Sequence, residues 1–312
     1  KDPYKIWLSE IILQQTRVDQ GWGYYKRFID AFPTIKDLAN SPDQVVFKLW
    51  EGLGYYARCR NLLHTARTIS TEYNGSFPET YDDIIKLKGI GPYTAAAISS
   101  FAFGLPYAVV DGNVLRVLSR VFGIQDPIDG KKGRDTLNSI AEKLLDKKSP
   151  GLYNQAIMDF GAVVCKPAAP LCIECVFNKT CFAFLKKKVS ELPVKEKKIS
   201  LKKRWFYYLV MQQENEIAIR QRTGKDIWNQ LYEFPMIEKE RESSVESILQ
   251  DAEKSGLLPK KKKYELVAIS PLFKQQLSHQ LIAGQFVKIK LQKKDMVKVE
   301  MLWVKAGQIK KY

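Results

Sequence analysis

Four of the chain's five cysteines, Cys165, Cys172, Cys175 and Cys181, fall within one stretch of 17 residues. Four thiolates in one short loop can surround one ion or one cluster. Structural zinc sites more often pair two close cysteines with two more after a longer interval. The single winding loop, Cys-x6-Cys-x2-Cys-x5-Cys, therefore suits a [4Fe–4S] cluster better than tetrahedral zinc, which stays as the alternative. Two carboxylates are placed for paired acid chemistry. Glu10 lies among Ile6, Trp7, Ile11 and Leu13 at helical spacing, where burial would raise its pKa and keep it protonated. Asp111 opens a helix, and the helix N-terminus favours its ionised form. On local grounds alone, a helix-surface glutamate is the preferred reading of Glu10 and a plain N-cap that of Asp111. A third feature is Leu87 to Ala95, where Gly89 and Gly91 allow a tight hairpin and expose amides that suit a phosphate. Its alternative is an ordinary αα-hairpin.

The elements that must position these groups are helical up to about residue 185. Asp2-Pro3 is a helix-start signal. Further helices are predicted near 18–31, 42–50, 58–73, 80–87, 92–103, 111–122, 133–146 and 151–164, with Gly and Pro at the joints. After Cys181 the chain turns basic and short of large apolar residues, which reads as a solvated tether. Strand patterns follow at Trp205 to Met211, Ile217 to Gln221, Tyr264 to Ser270 and Gln285 to Leu291. Ser244 to Lys254 reads as a helix among them, and Lys260 to Lys263 as an exposed loop.

Composition narrows the partner. The net charge of +16 over 312 residues favours a polyanion. No apolar run approaches a membrane span, and no basic amphipathic segment dominates. Lys1 to Gln14 has the charges of no signal peptide. An odd cysteine count in a large, lysine-rich chain argues for a reducing compartment. Cys59 and His64 receive no role.

Taken in order, the motifs resemble the endonuclease III superfamily and, within it, the MutY-type adenine DNA glycosylases. Trp7 to Thr16 is similar to that family's first catalytic helix, and Gly52 to Arg58 to its base-stack-probing segment. Leu87 to Ala95 resembles its helix-hairpin-helix, and Val110 to Val114 its second catalytic segment. The cysteine spacing looks like that of its [4Fe–4S] loop. Trp228 to Pro235 and Leu277-Ser278-His279 resemble its Nudix-like domain. Leu277 stands where the family usually has Phe, and no Nudix hydrolase box follows Pro235, so that domain is expected to recognise and not to hydrolyse. The family's preceding helix and Leu-Pro-Trp segment have no counterpart before Lys1, so a longer native N-terminus is expected.

The resemblance implies a multidomain α and α+β protein. An all-α helix-hairpin-helix glycosylase domain spans 1–185, with the cluster loop at 165–181. A basic linker spans 186–204, and a Nudix-like α+β domain reading 8-oxoguanine spans 205–312. It implies monofunctional hydrolysis of the N-glycosidic bond of adenine opposite 8-oxoguanine or guanine in duplex DNA. Glu10 would be the general acid for adenine N7, and Asp111 would face the anomeric carbon. Asn113 would orient Asp111, and Tyr93 would hydrogen-bond in the same site. Gln14, Gln15 and Tyr55 would fill the gap left by the extruded base. Gln15, Thr16, Leu53 and Ser278 would contact the opposite base, Gln155 the adenine, and the amides at Gly89 and Gly91 a phosphate. The expected protein is a monomer without a membrane partner, located with the chromosomal DNA, in the cytoplasm or, in a eukaryote, the nucleus or mitochondria. Two rivals remain. A glycosylase/lyase for oxidised pyrimidines needs a Schiff-base lysine, but Tyr93 takes that position, and Lys88 lies elsewhere on the hairpin. A non-catalytic DNA-binding protein would have no need of both Glu10 and Asp111.

Overall fold

The computed structural model describes residues 1–196, 201–224, 226–260, 263–292, 297 and 299–312. Residues 197–200 of the expected linker and 261–262 of the expected loop at Lys260 to Lys263 lie outside the described residues. The chain divides into two compact units, Lys1–Lys197 and Lys198–Tyr312.

The first unit is helical. It runs α1 (Pro3–Leu13), α2 (Val18–Ala31), α3 (Ile35–Asn40), α4 (Asp43–Trp50), α5 (Tyr56–Glu72), α6 (Tyr81–Ile84), α7 (Pro92–Phe103), α8 (Gly112–Phe122), α9 (Lys131–Leu144), α10 (Pro150–Val163) and α11 (Phe182–Leu185). Asp2 caps α1 by accepting from the Tyr4 and Lys5 amides, ahead of Pro3 in the first turn. Trp7, Leu8, Ile11 and Ile12 of α1 then enter a core with Phe28, Leu38, Trp50, Leu62 and Ile69. Burial of a side chain such as Ile12 contributes roughly 1.5–3 kcal/mol. Helix α7 carries alanines at 95, 96 and 97, all buried, and packs against α1. Ala95 lies in the core shared with α1, and Ala96 and Ala97 pack with Val109. A separate cluster of Val114, Leu118, Ile128, Leu137 and Ala141 joins α8 to α9.

Between α6 and α7 the hairpin needs Gly89. Its φ is +80°, and a Cβ there would meet Asn61 at 2.6 Å. The Thr65 hydroxyl fixes the same turn by donating to the Lys88 carbonyl at 2.8 Å. The sequence-predicted helix at 80–87 shortens to α6, because the Lys86–Ile90 segment is used for this turn. Helix α3 has no counterpart among the predicted helices. Its six residues are too few for an apolar period, and a capping box of Thr34 and Asp37 starts it.

The second unit is a mixed sheet with one α-helix among the described residues. Strand β1 (Lys202–Gln213) pairs in parallel with β7 (Gln280–Leu291), from Lys202 opposite Gln280 to Gln212 opposite Lys290. Strands β2 (Glu216–Gln221) and β4 (Met236–Lys239) are antiparallel to β1. Strands β5 (Tyr264–Ile269) and β6 (Phe273–Gln276) are antiparallel to β7. Strands β3 (Tyr232–Glu233) and β8 (Leu302–Lys305) flank β2. Helix α12 (Val245–Ser255) covers one face, with Ile248 and Ala252 packed against Tyr207, Leu209 and Met211. Strand β1 begins before Trp205 and takes in Arg204, which the sequence reading places in the linker. Arg204 is buried because two carboxylates and an amide absorb its charge. It reaches Asp226 at 3.0 and 2.9 Å, Glu238 at 2.6 and 2.8 Å, and Gln280 at 3.0 Å. Strands β3, β4, β6 and β8 are also new, each of two to four residues. Among the described residues no helix is long and apolar enough to cross a membrane.

Candidate active site

A cavity of about 730 Å³ in the first unit gathers Glu10, Gln14 and Gln15 from the end of α1 and the turn after it. Tyr93 enters from α7, and Asp111 from the start of α8. The Tyr93 hydroxyl donates to Glu10 Oε2 at 2.8 Å. Burial is the largest influence on Glu10 and raises its pKa. Tyr93 lowers it and the Asp111 charge raises it, with a net upward shift. Tyr93 in turn holds its proton far above the usual phenol range, through burial first and then the neighbouring Glu10.

Asp111 is the N-cap of α8. Its Oδ1 accepts from the Val114 amide at 2.8 Å and its Oδ2 from Asn113 Nδ2 at 2.8 Å. Asn113 is held from behind, since its Oδ1 accepts from Arg116 Nη2 at 2.9 Å. The same guanidinium donates to the Gly161 carbonyl at 2.7 Å and, through Nε, to the Cys165 carbonyl at 2.8 Å. Gly161 is needed there, because a Cβ would meet Asn113 Cβ at 2.7 Å. One buried arginine thus links α8, α10 and the first cysteine of the loop to the carboxylate.

The wall opposite these groups was not visible in the sequence. Tyr81 and Tyr107 stack at 4.3 Å and 13°, and Arg134, Asn138 and Glu142 project from one stripe of α9. Asn154, buried in α10, fixes the approach to Asp111: it accepts from the Val109 amide and donates to the Tyr107 carbonyl. The four-residue spacing of Arg116 and Arg120 on an otherwise apolar helix was a usable signal. Asn154 gave none, because its partners, two backbone groups and the Ser100 hydroxyl, are all more than 40 residues away.

Other expected residues lie outside the cavity. Asn113 and the Thr16 hydroxyl, which donates to the Gln14 carbonyl at 3.3 Å, stand beside it. Tyr55 is 44% exposed, whereas Leu53 is buried in the core beneath it. Gly91 is the N-cap of α7 and has open space around it. Gln155 is exposed on α10 and donates to Asp159 at 2.9 Å, so it does not line the cavity. In the second unit Ser278 is exposed on the turn between β6 and β7, and Leu277 packs with Phe206, Met236 and Ile282. That unit also has an aromatic cavity of about 480 Å³, bounded by Tyr208, Trp228, Phe273 and Phe286. It contains none of the residues expected to react.

Cys165, Cys172, Cys175 and Cys181 are free thiols that line one small recess with Arg120. Arg120 Nη1 lies 3.5 Å from Cys165 Sγ, and the Phe177 amide 3.4 Å from Cys175 Sγ. Donors of this kind suit sulfur acceptors, and four cysteines lining one recess fit a cysteine-held metal group. Among the described residues no three such side chains are gathered tightly enough to hold one metal ion.

Residues 8–145 match the profile of the HhH-GPD superfamily of base excision DNA repair proteins, and residues 206–312 that of the NUDIX domain. The adenine DNA glycosylase of Buchnera aphidicola subsp. Baizongia pistaciae is 38% identical over 280 residues, covering 89% of this chain and 76% of that protein. The chain belongs to the adenine DNA glycosylases of base excision repair. A second such glycosylase, from Buchnera aphidicola subsp. Acyrthosiphon pisum, is 38% identical over 78% of this chain and 70% of its own length. The Homo sapiens glycosylase is 43% identical over 58% of this chain and 33% of its own length. Among solved structures, a thermostable thymine-DNA glycosylase superposes with a TM-score of 0.55 at 31% identity, over 59% of this chain and 85% of that one. An endonuclease III–DNA complex has a TM-score of 0.54 at 24% identity, over 60% of this chain and 86% of that one, which establishes the fold of the helical unit.

Proposed function

We propose that the protein hydrolyses the N-glycosidic bond of adenine paired with 8-oxoguanine or guanine in duplex DNA, leaving an abasic site. The observation that carries this is Glu10, half-buried and hydrogen-bonded to Tyr93 in the same cavity as Asp111. Adenine leaves poorly as an anion, and a protonated Glu10 can deliver a proton to N7 as the bond lengthens. The sugar becomes oxocarbenium-like, and the Asp111 carboxylate, oriented by Asn113 and Val114, offsets that charge. A water then completes the hydrolysis. Gln14, Gln15 and Tyr55 are assigned the gap left by the extruded base, Gln15 and Thr16 a contact to the opposite base, and the amides at Gly89 and Gly91 a phosphate.

The reaction is proposed to stop at base release. Tyr93 offers no amine for a Schiff base, and the residues lining the cavity include no lysine. Incubation of the enzyme with adenine-containing duplex and borohydride is expected to give base release without a covalent adduct. An adduct formed as fast as adenine is released would establish lyase chemistry instead.

The domain reading follows the same lines: a glycosylase domain over 1–185, a linker over 186–204, and an 8-oxoguanine-reading domain over 205–312. Ser278, exposed on its turn, is assigned a contact to the opposite base. Ser278→Ala is expected to narrow the preference for 8-oxoguanine over guanine, while adenine excision opposite guanine changes by less than about threefold. Equal losses on both substrates would remove Ser278 from opposite-base recognition. Leu53, being buried, would support that contact from beneath, and Gln155 would have to turn from Asp159 to reach the adenine.

The four cysteines are proposed to hold a [4Fe–4S] cluster, whose part is to order the 165–181 segment and its Lys166 and Lys179 against DNA. Metal analysis of anaerobically purified protein is expected to find iron and sulfide. One zinc per chain without iron would overturn the assignment. Loss of any one cysteine is expected to lower metal content and thermal stability together, since Cys59, the fifth, is buried elsewhere in the core. The protein is proposed to act as a monomer beside the chromosomal DNA.

A further inference from the structure

Arg58 closes the probing segment in sequence, yet its side chain points the other way, under the turn that ends α1. Nη1 donates to the carbonyls of Ile11 at 2.8 Å, Ile12 at 3.0 Å and Gln14 at 2.6 Å. These lie in the last turn of α1 and just beyond it, where carbonyls lack helical partners. Nη2 reaches the Gly54 carbonyl at 3.4 Å, and Trp50 Nε1 donates to that same oxygen at 2.9 Å. The guanidinium also lies 5.2 Å from the Trp50 ring and 5.3 Å from the Tyr55 ring. Burial lowers its pKa to about 10, which still leaves it cationic at neutral pH.

Two strained residues flank this one group. Gln15 has φ +55° and Tyr55 has φ +49°, both left-handed without being glycine. Such residues persist only where their surroundings enforce the conformation, and they gather at functional positions. The enforcing contacts here converge on Arg58. Gln14, immediately before Gln15, receives its shortest bond, and Gly54, immediately before Tyr55, receives its other amino group.

We propose that Arg58 is a positioning residue that joins the Gln15 turn and the Tyr55 turn into one rigid wedge for extruding the target base. The inference rests on the adenine-excision reading above, with Gln15 and Tyr55 as the inserted residues. A base leaves the stack only if the gap is filled as it forms, so both tips must arrive together and in fixed register. A planar fork can hold carbonyls on two segments at once, whereas the lysine ammonium is a point charge on a flexible stem. Glu10 and Tyr93 make no hydrogen bond to Arg58, so its loss should slow extrusion and leave proton transfer as it was.

The test uses the full chain and a duplex with 2-aminopurine, which brightens on unstacking, at the target position opposite 8-oxoguanine. Arg58→Lys is expected to bind this duplex but to lose most of the fluorescence rise seen with wild type. On the corresponding adenine duplex, single-turnover release is expected to slow about 10- to 100-fold, with the pH dependence of the remaining rate unchanged. A role in folding alone would lower the fraction of active molecules and leave the rate and brightening of each active molecule intact, which would overturn the proposal. So would a slowed release with a full fluorescence rise, or a shifted pH dependence. If Arg58→Lys does not fold, Arg58→Gln, with donors but no fork, takes its place under the same criteria. The fluorescence reading does not require excision. A wild type that brightens the probe but releases no adenine therefore refutes the functional reading, while the variant still decides the wedge.

Discussion

Glu10→Gln is expected to bind adenine-containing duplex nearly as well as the wild type and to release the base about 10²–10⁴-fold more slowly. The amide keeps the size of the side chain and can still accept the Tyr93 hydroxyl bond, but it has no carboxylic proton to deliver. Because burial raises the Glu10 pKa, the acid stays protonated further towards neutrality than an exposed glutamate would. The wild-type rate should therefore fall as pH rises through that raised value, and this limb should be absent in Glu10→Gln. Stability has the matching sign. A carboxyl whose folded pKa is raised contributes stability below its unfolded pKa and loses it as pH rises through the folded one. Thermal melting should thus place Glu10→Gln above wild type in mild alkali, with the gap closing in acid. Single-turnover kinetics at saturating enzyme separate binding from chemistry. A near-wild-type rate would return Glu10 to the role of an ordinary helix glutamate.

What the sequence made legible follows from the range of each interaction. Helices α1 and α8 announce themselves because an apolar period and a local cap lie within a few residues of each other, as with Asp2-Pro3 or Asp111 before Val114. Strands β4, β6 and β8 are too short to show a period, and β4 and β8 are placed by pairing with β1 and β2 far along the chain. Arg204 looked like tether because its charge is balanced only by Asp226 and Glu238, both more than 20 residues on. The reactive pair shows the same limit. That Glu10 would be drawn partly out of solvent was readable from its apolar neighbours. The Tyr93 hydroxyl on its Oε2 was not, because it depends on the packing of α7 against α1, which brings together residues 83 apart in the chain. Arg58 escaped for a related reason: its partners are main-chain carbonyls, which carry no residue identity to read.

Asp111→Asn is expected to slow base release by about 10²–10³-fold with little change in melting temperature. The two consequences separate because the residue does two jobs with different atoms and charge. As an N-cap, asparagine serves nearly as well as aspartate, and its carbonyl oxygen can still accept the Val114 amide. As the counter-charge to an oxocarbenium-like sugar it fails, since an amide has no net charge to offer in a cavity where charges are weakly screened. The orientation of that charge comes from behind. Asn113 donates to Oδ2, Arg116 holds Asn113, and Arg116 is itself held by the carbonyls of Gly161 and Cys165. Arg116→Lys keeps the positive charge but cannot span three acceptors at fixed angles, so the Asp111 carboxylate would be poorly aimed. Its rate is expected to lie between those of wild type and Asp111→Asn, with a clear loss of thermal stability because buried carbonyls are left unpaired. An Asp111→Asn enzyme that released adenine at the wild-type rate would leave Asp111 only its cap. An Arg116→Lys enzyme as fast and as stable as wild type would show that the carboxylate needs no support from the cysteine loop side.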